Sequence, residues 1–230
     1  MTRITLINPN TSAELTTTIA KAAQVVAGAG VTVTGVHPAA GVPSVESHAE
    51  EAIAAVGVIE QVRAHQAETD AFVIACFGDT GVAAAREVAT CPVVGMTEAA
   101  LQTACLVAHR FVVITLPART IAHSDRVVRA LGLEHRCTVA AIDVAVAELL
   151  DGSTHLLDAF AGVARATDHA EAVVLGCAGL ADLVDPLSDR LGVPVIDGVA
   201  AGVGIAAGLV AMGLNTSRAS TFAPVDLERP

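Results

Sequence analysis

Two cysteines sit where a side chain could do chemistry. Cys76 ends the apolar run Ala71–Ala75 in "DAFVIACFGDTG" (70–81), and Cys177 ends another in "EAVVLGCAGLADL" (171–183). Glycines follow each at once, which places each thiol at the tip of a buried strand where the backbone turns toward a helix. A thiolate there is stabilised by free N–H groups and the positive end of the helix dipole, bringing its pKa toward neutrality. A near-neutral pKa suits a general acid or base and predicts rapid alkylation near neutral pH. If the two sulfurs face a bound molecule from opposite sides, one can remove a proton from a carbon while the other returns one to the opposite face. That inverts a stereocentre and needs no cofactor.

Nearby residues supply candidate ligand contacts. Gly78, Gly81, Gly176 and Gly179 let backbone approach a ligand and offer N–H donors to a developing enolate oxygen. Asn8 ends the first strand in "INPNTS", and Thr115 holds the corresponding place later in the chain. Asp79 and Thr80 follow Cys76 closely enough to orient a ligand, although Asp79 also suits a helix N-cap. Glu46 and Ser47 lie in the loop after "HPAAGVPSV".

The elements that must position these residues read as an α/β chain. Strand-like runs fall near Ile4–Ile7, Val31–Val36, Ala71–Ala75, Val93–Val94, Phe111–Ile114, Thr138–Ala141, Ala172–Leu175 and Val193–Ile196, with helical segments between them. The first helix opens at Thr11-Ser12-Ala13-Glu14, a Thr-x-x-Glu capping box. The apolar stretch from Val199 to Leu214, about 16 residues against the roughly 20 needed to span a bilayer, reads as a buried core helix.

The chain also repeats itself. "FVIACFGDTGVAAAREVATCPVVGMTEAA" (72–100) lies over "VVLGCAGLADLVDPLSDRLGVPVIDGVAA" (173–201), and "ITLINP" (4–9) over "FVVITLP" (111–117). Two similar α/β lobes with parallel sheets, related by a pseudo-two-fold, follow from this, with the ligand in the cleft where strand carboxyl ends meet. The first lobe is expected to take residues 1–96 plus 198–230, and the second residues 97–197.

Composition narrows the function. Of the 230 residues 53% are apolar and 16% charged, with no Trp or Tyr, so a pocket has aliphatic walls and little to stack bases on. The net charge of −11 argues against nucleic-acid and anionic-membrane partners. Five cysteines without framework spacing suit free thiols in the cytoplasm, and Cys91, Cys105 and Cys137 read as packed residues. No nucleotide-binding glycine motif and no Gly-x-Ser-x-Gly elbow occurs. The eight histidines show no His-x-x-x-His spacing, so neither a metal nor a cofactor is expected.

With these residues in view, the chain resembles the aspartate/glutamate/hydantoin racemase superfamily, in its hydantoin and allantoin racemase branch. The resemblance spans the whole chain and rests on "INPNTS" (7–12), "SVES" (44–47), "ACFGDTG" (75–81), "PVVGMTEAA" (92–100) and "GCAG" (176–179). It implies a cofactor-independent racemase working through Cys76 and Cys177, with Ala178 among the residues at the substrate, in a homo-oligomer. Amino-acid racemases of the superfamily more typically show Cys-Asn-Thr and Gly-Cys-Thr at these places. Cys-Phe-Gly-Asp and Gly-Cys-Ala-Gly here favour a cyclic ureide, a 5-substituted hydantoin or allantoin. The hydantoin branch often has Pro at the position of Thr80. The alternatives are an Asp/Glu racemase, a decarboxylase or isomerase of the same superfamily, and a non-catalytic α/β ligand-binding module with both cysteines structural.

Overall fold

Each of the eight apolar runs becomes a strand: β1 (Thr2–Ile7), β2 (Val31–Val36), β3 (Ala71–Ile74), β4 (Val93–Gly95), β5 (Phe111–Thr115), β6 (Cys137–Ala141), β7 (Val173–Leu175) and β8 (Val195–Asp197). The structure, a computed structural model, describes residues 1–151 and 154–225. Among the described residues every strand pairing is parallel, in two four-stranded sheets ordered β2-β1-β3-β4 and β6-β5-β7-β8. The second order is the first with four added to each label. The internal repeat in the sequence is therefore a repeat of topology.

Helices cover both faces, which explains why β3 is apolar throughout instead of alternating. Phe72 and Ile74 point into a cluster with Val58, Val62 and Val82, from α2 (His48–His65) and α3 (Val82–Val88). Ala71 and Val73 point the other way, against α1 (Ala13–Val26) and α8 (Gly198–Ala211). The remaining helices are α4 (Met96–Val107), α5 (Ile121–Ala130), α6 (Leu157–Ala166) and α7 (Val184–Leu191).

The helices after β4 and β8 change sides. Ala100, Leu101 and Ala104 of α4 pack with Phe111 and Val113 of the second sheet. Val199, Val203 and Ala206 of α8 pack with Ile4, Leu6 and Val73 of the first. A Cβ at Gly202 would stand 2.9 Å from a Val73 methyl, so the small residue is what lets α8 approach β3. Each half thus lends a helix to the other. Residues 226–230 of the expected first lobe lie outside the described residues.

Two local expectations change. Ser12, not Thr11, caps α1: its hydroxyl accepts from Leu15 N–H at 3.2 Å. The backbone N–H and hydroxyl of Thr11 both donate to the Val42 carbonyl, so tertiary contact takes Thr11 out of the capping box. The helix α8 buries one face through Val199, Gly202, Val203 and Ala206, while Gly204 and Ala211 are exposed, so it is a covering helix and not a fully enclosed one. Among the described residues, no helix is long and apolar enough to cross a membrane.

Candidate active site

The carboxyl ends of β1 and β3 face those of β5 and β7 across a narrow cleft. Asn8, Asn10, Ala75, Cys76 and Phe77 line it from the first half. Thr115, Leu116, Gly176, Cys177 and Ala178 line it from the second, and Val45 and Val146 close the sides. The enclosed volume is only ≈ 50 Å³. Ligand pockets usually hold about 300 Å³ or more, so the halves must part to admit a ring-sized molecule.

Both cysteines keep some surface open to this cleft, yet their surroundings are dense. Burial pushes the Cys76 thiol up to about 12, against a hydroxyl bond from Thr80 to its Sγ at 3.4 Å that favours the thiolate. Burial likewise raises Cys177 to about 11, opposed by the N–H groups of Gly179 and Ala178 beside its sulfur. The expected depression toward neutrality is therefore overturned. The physical reason is distance from the helix dipole: α3 starts at Val82, and α7 at Val184 after a short 3-10 turn over Ala181–Leu183. Dipole stabilisation fades beyond the first turn, which leaves desolvation to dominate.

Thr80 is buried against Cys76, while Thr115 shares a 2.7 Å hydroxyl contact with Thr120 at the cleft wall. Asn8 lines the cleft, but its amide N–H₂ group is spent on Asn10 Oδ1 at 2.8 Å and Thr16 Oγ1 at 3.0 Å. It scaffolds the loop that carries Asn10. Asn10 Nδ2 has no hydrogen-bond partner among the described residues, and Asn10 lines the cleft. Asn10 lies in "INPNTS", two residues beyond the strand-end candidate Asn8, where no local pattern marks it.

Other expected contacts are used elsewhere. Gly78 donates its N–H to Thr97 Oγ1 at 2.7 Å, and Gly176 donates to the Ile114 carbonyl at 2.9 Å, so neither offers a free donor. Gly81 sits outside the cleft, where its positive φ of 73° starts α3 against α2. Gly179 acts through the Cys177 sulfur. Among the described residues, the N–H groups of Cys76, Phe77 and Cys177 take no acceptor and lie at the cleft.

Asp79 also turns away from the cleft. Its carboxylate accepts from Thr97 N–H at 2.8 Å and Glu98 N–H at 2.9 Å, capping α4 and not the helix that follows it. Burial raises its pKa to about 6 against those two bonds. Asp79 thereby ties the Cys76 turn to the helix covering the second sheet. Ser47 caps α2 through Glu50, accepting its N–H at 3.3 Å and donating to its Oε2 at 2.9 Å. Glu46 bridges the halves instead of lining the cleft: its Oε1 accepts from Ser44 Oγ at 3.0 Å and from Val146 N–H at 3.3 Å. Partners distant in sequence decided Asp79 and Glu46, while Ser47 is taken by a local Ser-x-x-Glu cap.

Comparison with known proteins agrees with this architecture over nearly the whole chain. Residues 4–206 match the family described as Asp/Glu/Hydantoin racemase. A hydantoin racemase from Rhizobium meliloti is 41% identical over 225 residues, covering 96% of this chain and 93% of its own. The structure of an allantoin racemase from Klebsiella pneumoniae superposes with a TM-score of 0.94 at 44% identity, covering 99% of this chain and 95% of the other. An allantoin racemase from Pseudomonas fluorescens gives a TM-score of 0.94 at 38% identity, with 99% of both chains covered.

Proposed function

The chain belongs to the Asp/Glu/hydantoin racemase family, and from that premise we propose that it racemises 5-substituted hydantoins or allantoin by proton transfer between Cys76 and Cys177. One observation carries the mechanism: a cysteine from each half lines the same cleft. Cys177 is the less strongly raised of the two thiols and its charge pushes the Cys76 thiol further up, so when the pair ionises it does so once, as a Cys177 thiolate facing a Cys76 thiol. That is the protonation state a two-base reaction requires.

The C5 hydrogen of a hydantoin lies beside a carbonyl, and its removal leaves a ring-stabilised enolate. Cys177 as thiolate takes this proton from one enantiomer, and the Cys76 thiol supplies its own to the opposite face. The cycle ends with the charge on Cys76 and the proton on Cys177, ready for the other enantiomer. No electron changes hands. The Cys76, Phe77 and Cys177 N–H groups and the Asn10 amide are the available donors to the ring oxygens as charge develops. Leu15, Val45, Leu116 and Val146 give the C5 substituent an aliphatic wall.

A small-molecule substrate fits this reading, and the relatives named hydantoin racemase and allantoin racemase give the cyclic ureide class. The family resemblance carries the expectation of a homo-oligomer, which sedimentation in solution would test. The five free thiols fit the cytoplasm.

The deciding experiment follows the optical rotation of enantiopure 5-benzylhydantoin and allantoin in heavy water. Decay to zero with deuterium at C5, well above the rate without protein, is the expected result and ranks the two substrates. No decay with either refutes the reading and directs attention to free amino acids and malonates.

A further inference from the structure

Away from the cleft, the seam between the halves gathers two histidines and a carboxylate that the sequence keeps far apart. His48 and Glu51 are one turn apart on α2, and His123 comes from α5. His48 Nδ1 is 3.5 Å from Glu51 Oε2, His123 Nε2 is 3.9 Å from the same oxygen, and the three donor atoms all lie within 4.8 Å of one another. Donors around a tetrahedral ion with bonds near 2.1 Å stand roughly 3.4 Å apart. Two of the three separations are thus within about half an ångström of that value.

The placement of His123 points the same way. It is only 2% exposed, yet its ring makes no hydrogen bond among the described residues, and its Nε2 points at the carboxylate. Gly78 permits this placement, since a Cβ there would lie 2.9 Å from the His123 Cβ. An imidazole held there with no hydrogen bond of its own keeps a ring-nitrogen lone pair free for an ion. Across the gap, the side chain of His48 is 70% exposed and free to close the remaining ångström or so.

We propose that His48, Glu51 and His123 form a binding site for a divalent ion of the zinc class, bridging the two halves of the protein. Two imidazoles and one carboxylate suit zinc, cobalt or nickel better than magnesium or calcium, which prefer oxygen donors throughout. Arg126 fits as an outer partner. Its Nη2 pairs with Glu51 Oε1 and holds the Gly78 carbonyl at 2.9 Å. Only the 3.0 Å bond from Nη1 to Oε2 is given up when that oxygen turns to the ion. Carboxylate ligands are commonly oriented by such second partners. Three protein ligands leave a fourth position for water.

The ion would fasten α2 to α5 beside the turn that carries Cys76, and so restrain the parting of the halves. The site uses no cleft residue and stands whatever reaction the cleft performs.

The test is a calorimetric titration of Zn²⁺ into the chelator-washed full chain, repeated with His48→Ala and with the Cys76→Ser/Cys177→Ser double variant. One equivalent of Zn²⁺ binds the wild type. Binding to His48→Ala weakens by at least the roughly 10–100-fold that losing an outer partner alone costs. The double variant binds as the wild type does. Absence of saturable uptake, unchanged binding in His48→Ala, or loss in the double variant each overturns the proposal. Co²⁺ provides a second readout: visible d–d bands without a sulfur charge-transfer band are expected, and a sulfur band places the ion on the thiols instead.

Discussion

Alkylation of the two cleft cysteines as a function of pH tests the electrostatic reading directly. An unperturbed thiol with a pKa of 9.0 is ionised in roughly one molecule in ten at pH 8. With Cys177 at about 11 the thiolate fraction falls to ~10⁻³, and with Cys76 at about 12 to ~10⁻⁴. Since the thiolate is the nucleophile, Cys177 should react with iodoacetamide about 100-fold more slowly than an exposed thiol, and Cys76 about 1,000-fold more slowly. Access also affects absolute rates, so the slope is the sharper measure. Peptide mapping by mass spectrometry, with the reaction sampled from pH 7 to 10, should show each rate rising about tenfold per pH unit with no plateau. A bound hydantoin should slow both. A plateau near pH 7 to 8 at either residue, or Cys76 labelled ahead of Cys177, would refute the argument that burial outweighs the local hydrogen bonds.

Three further outcomes follow from named contacts. Cys76→Ser and Cys177→Ser should each abolish racemisation with the far-ultraviolet circular dichroism retained, while proton NMR in heavy water shows C5 exchange of one enantiomer, opposite for the two variants. Near-normal racemisation by either would end the two-base scheme. Thr80→Val removes the hydroxyl bond to the Cys76 sulfur, and loss of a hydrogen bond to a charged group, about 1.5 kcal/mol or more, should lower kcat/KM roughly tenfold. The fall must be equal for both enantiomers, because their equilibrium constant is one, and polarimetry from each side checks it. Asp79 titrates at about 6 when folded against 3.8 as a free group, so its protonated form favours the folded chain. That contribution is whole below pH 3.8 and gone above 6; urea midpoints between these limits should fall less steeply with pH in Asp79→Asn than in the wild type.

Much of the fold was legible because its signals are local. Runs such as "AFVI" and "FVVI" are too uniformly apolar for a sheet with one wet face, and they imply a parallel sheet covered on both sides. The repeat carried the topology, since two segments with one pattern of strands and turns adopt one strand order, as β2-β1-β3-β4 and β6-β5-β7-β8 do. The resemblance to the racemases, drawn from five short motifs, agrees with the family match over residues 4–206.

Local pattern was enough for the eight strands, their doubling and the place of each cysteine at a strand end, because apolar periodicity and turn residues act over a few neighbours. Tertiary structure alone decided what each polar group near the cysteines does. Asp79 looked like a ligand contact until α4 presented two open N–H groups to it, and Glu46 until Val146 arrived from the other half. The thiols looked acidic on helix-dipole grounds until packing removed water from both sulfurs. His48 and His123 meet only because α2 and α5 close on one seam. Hydrogen bonding and desolvation depend on atoms a few ångströms away in space, and those neighbours exist only once the chain has folded.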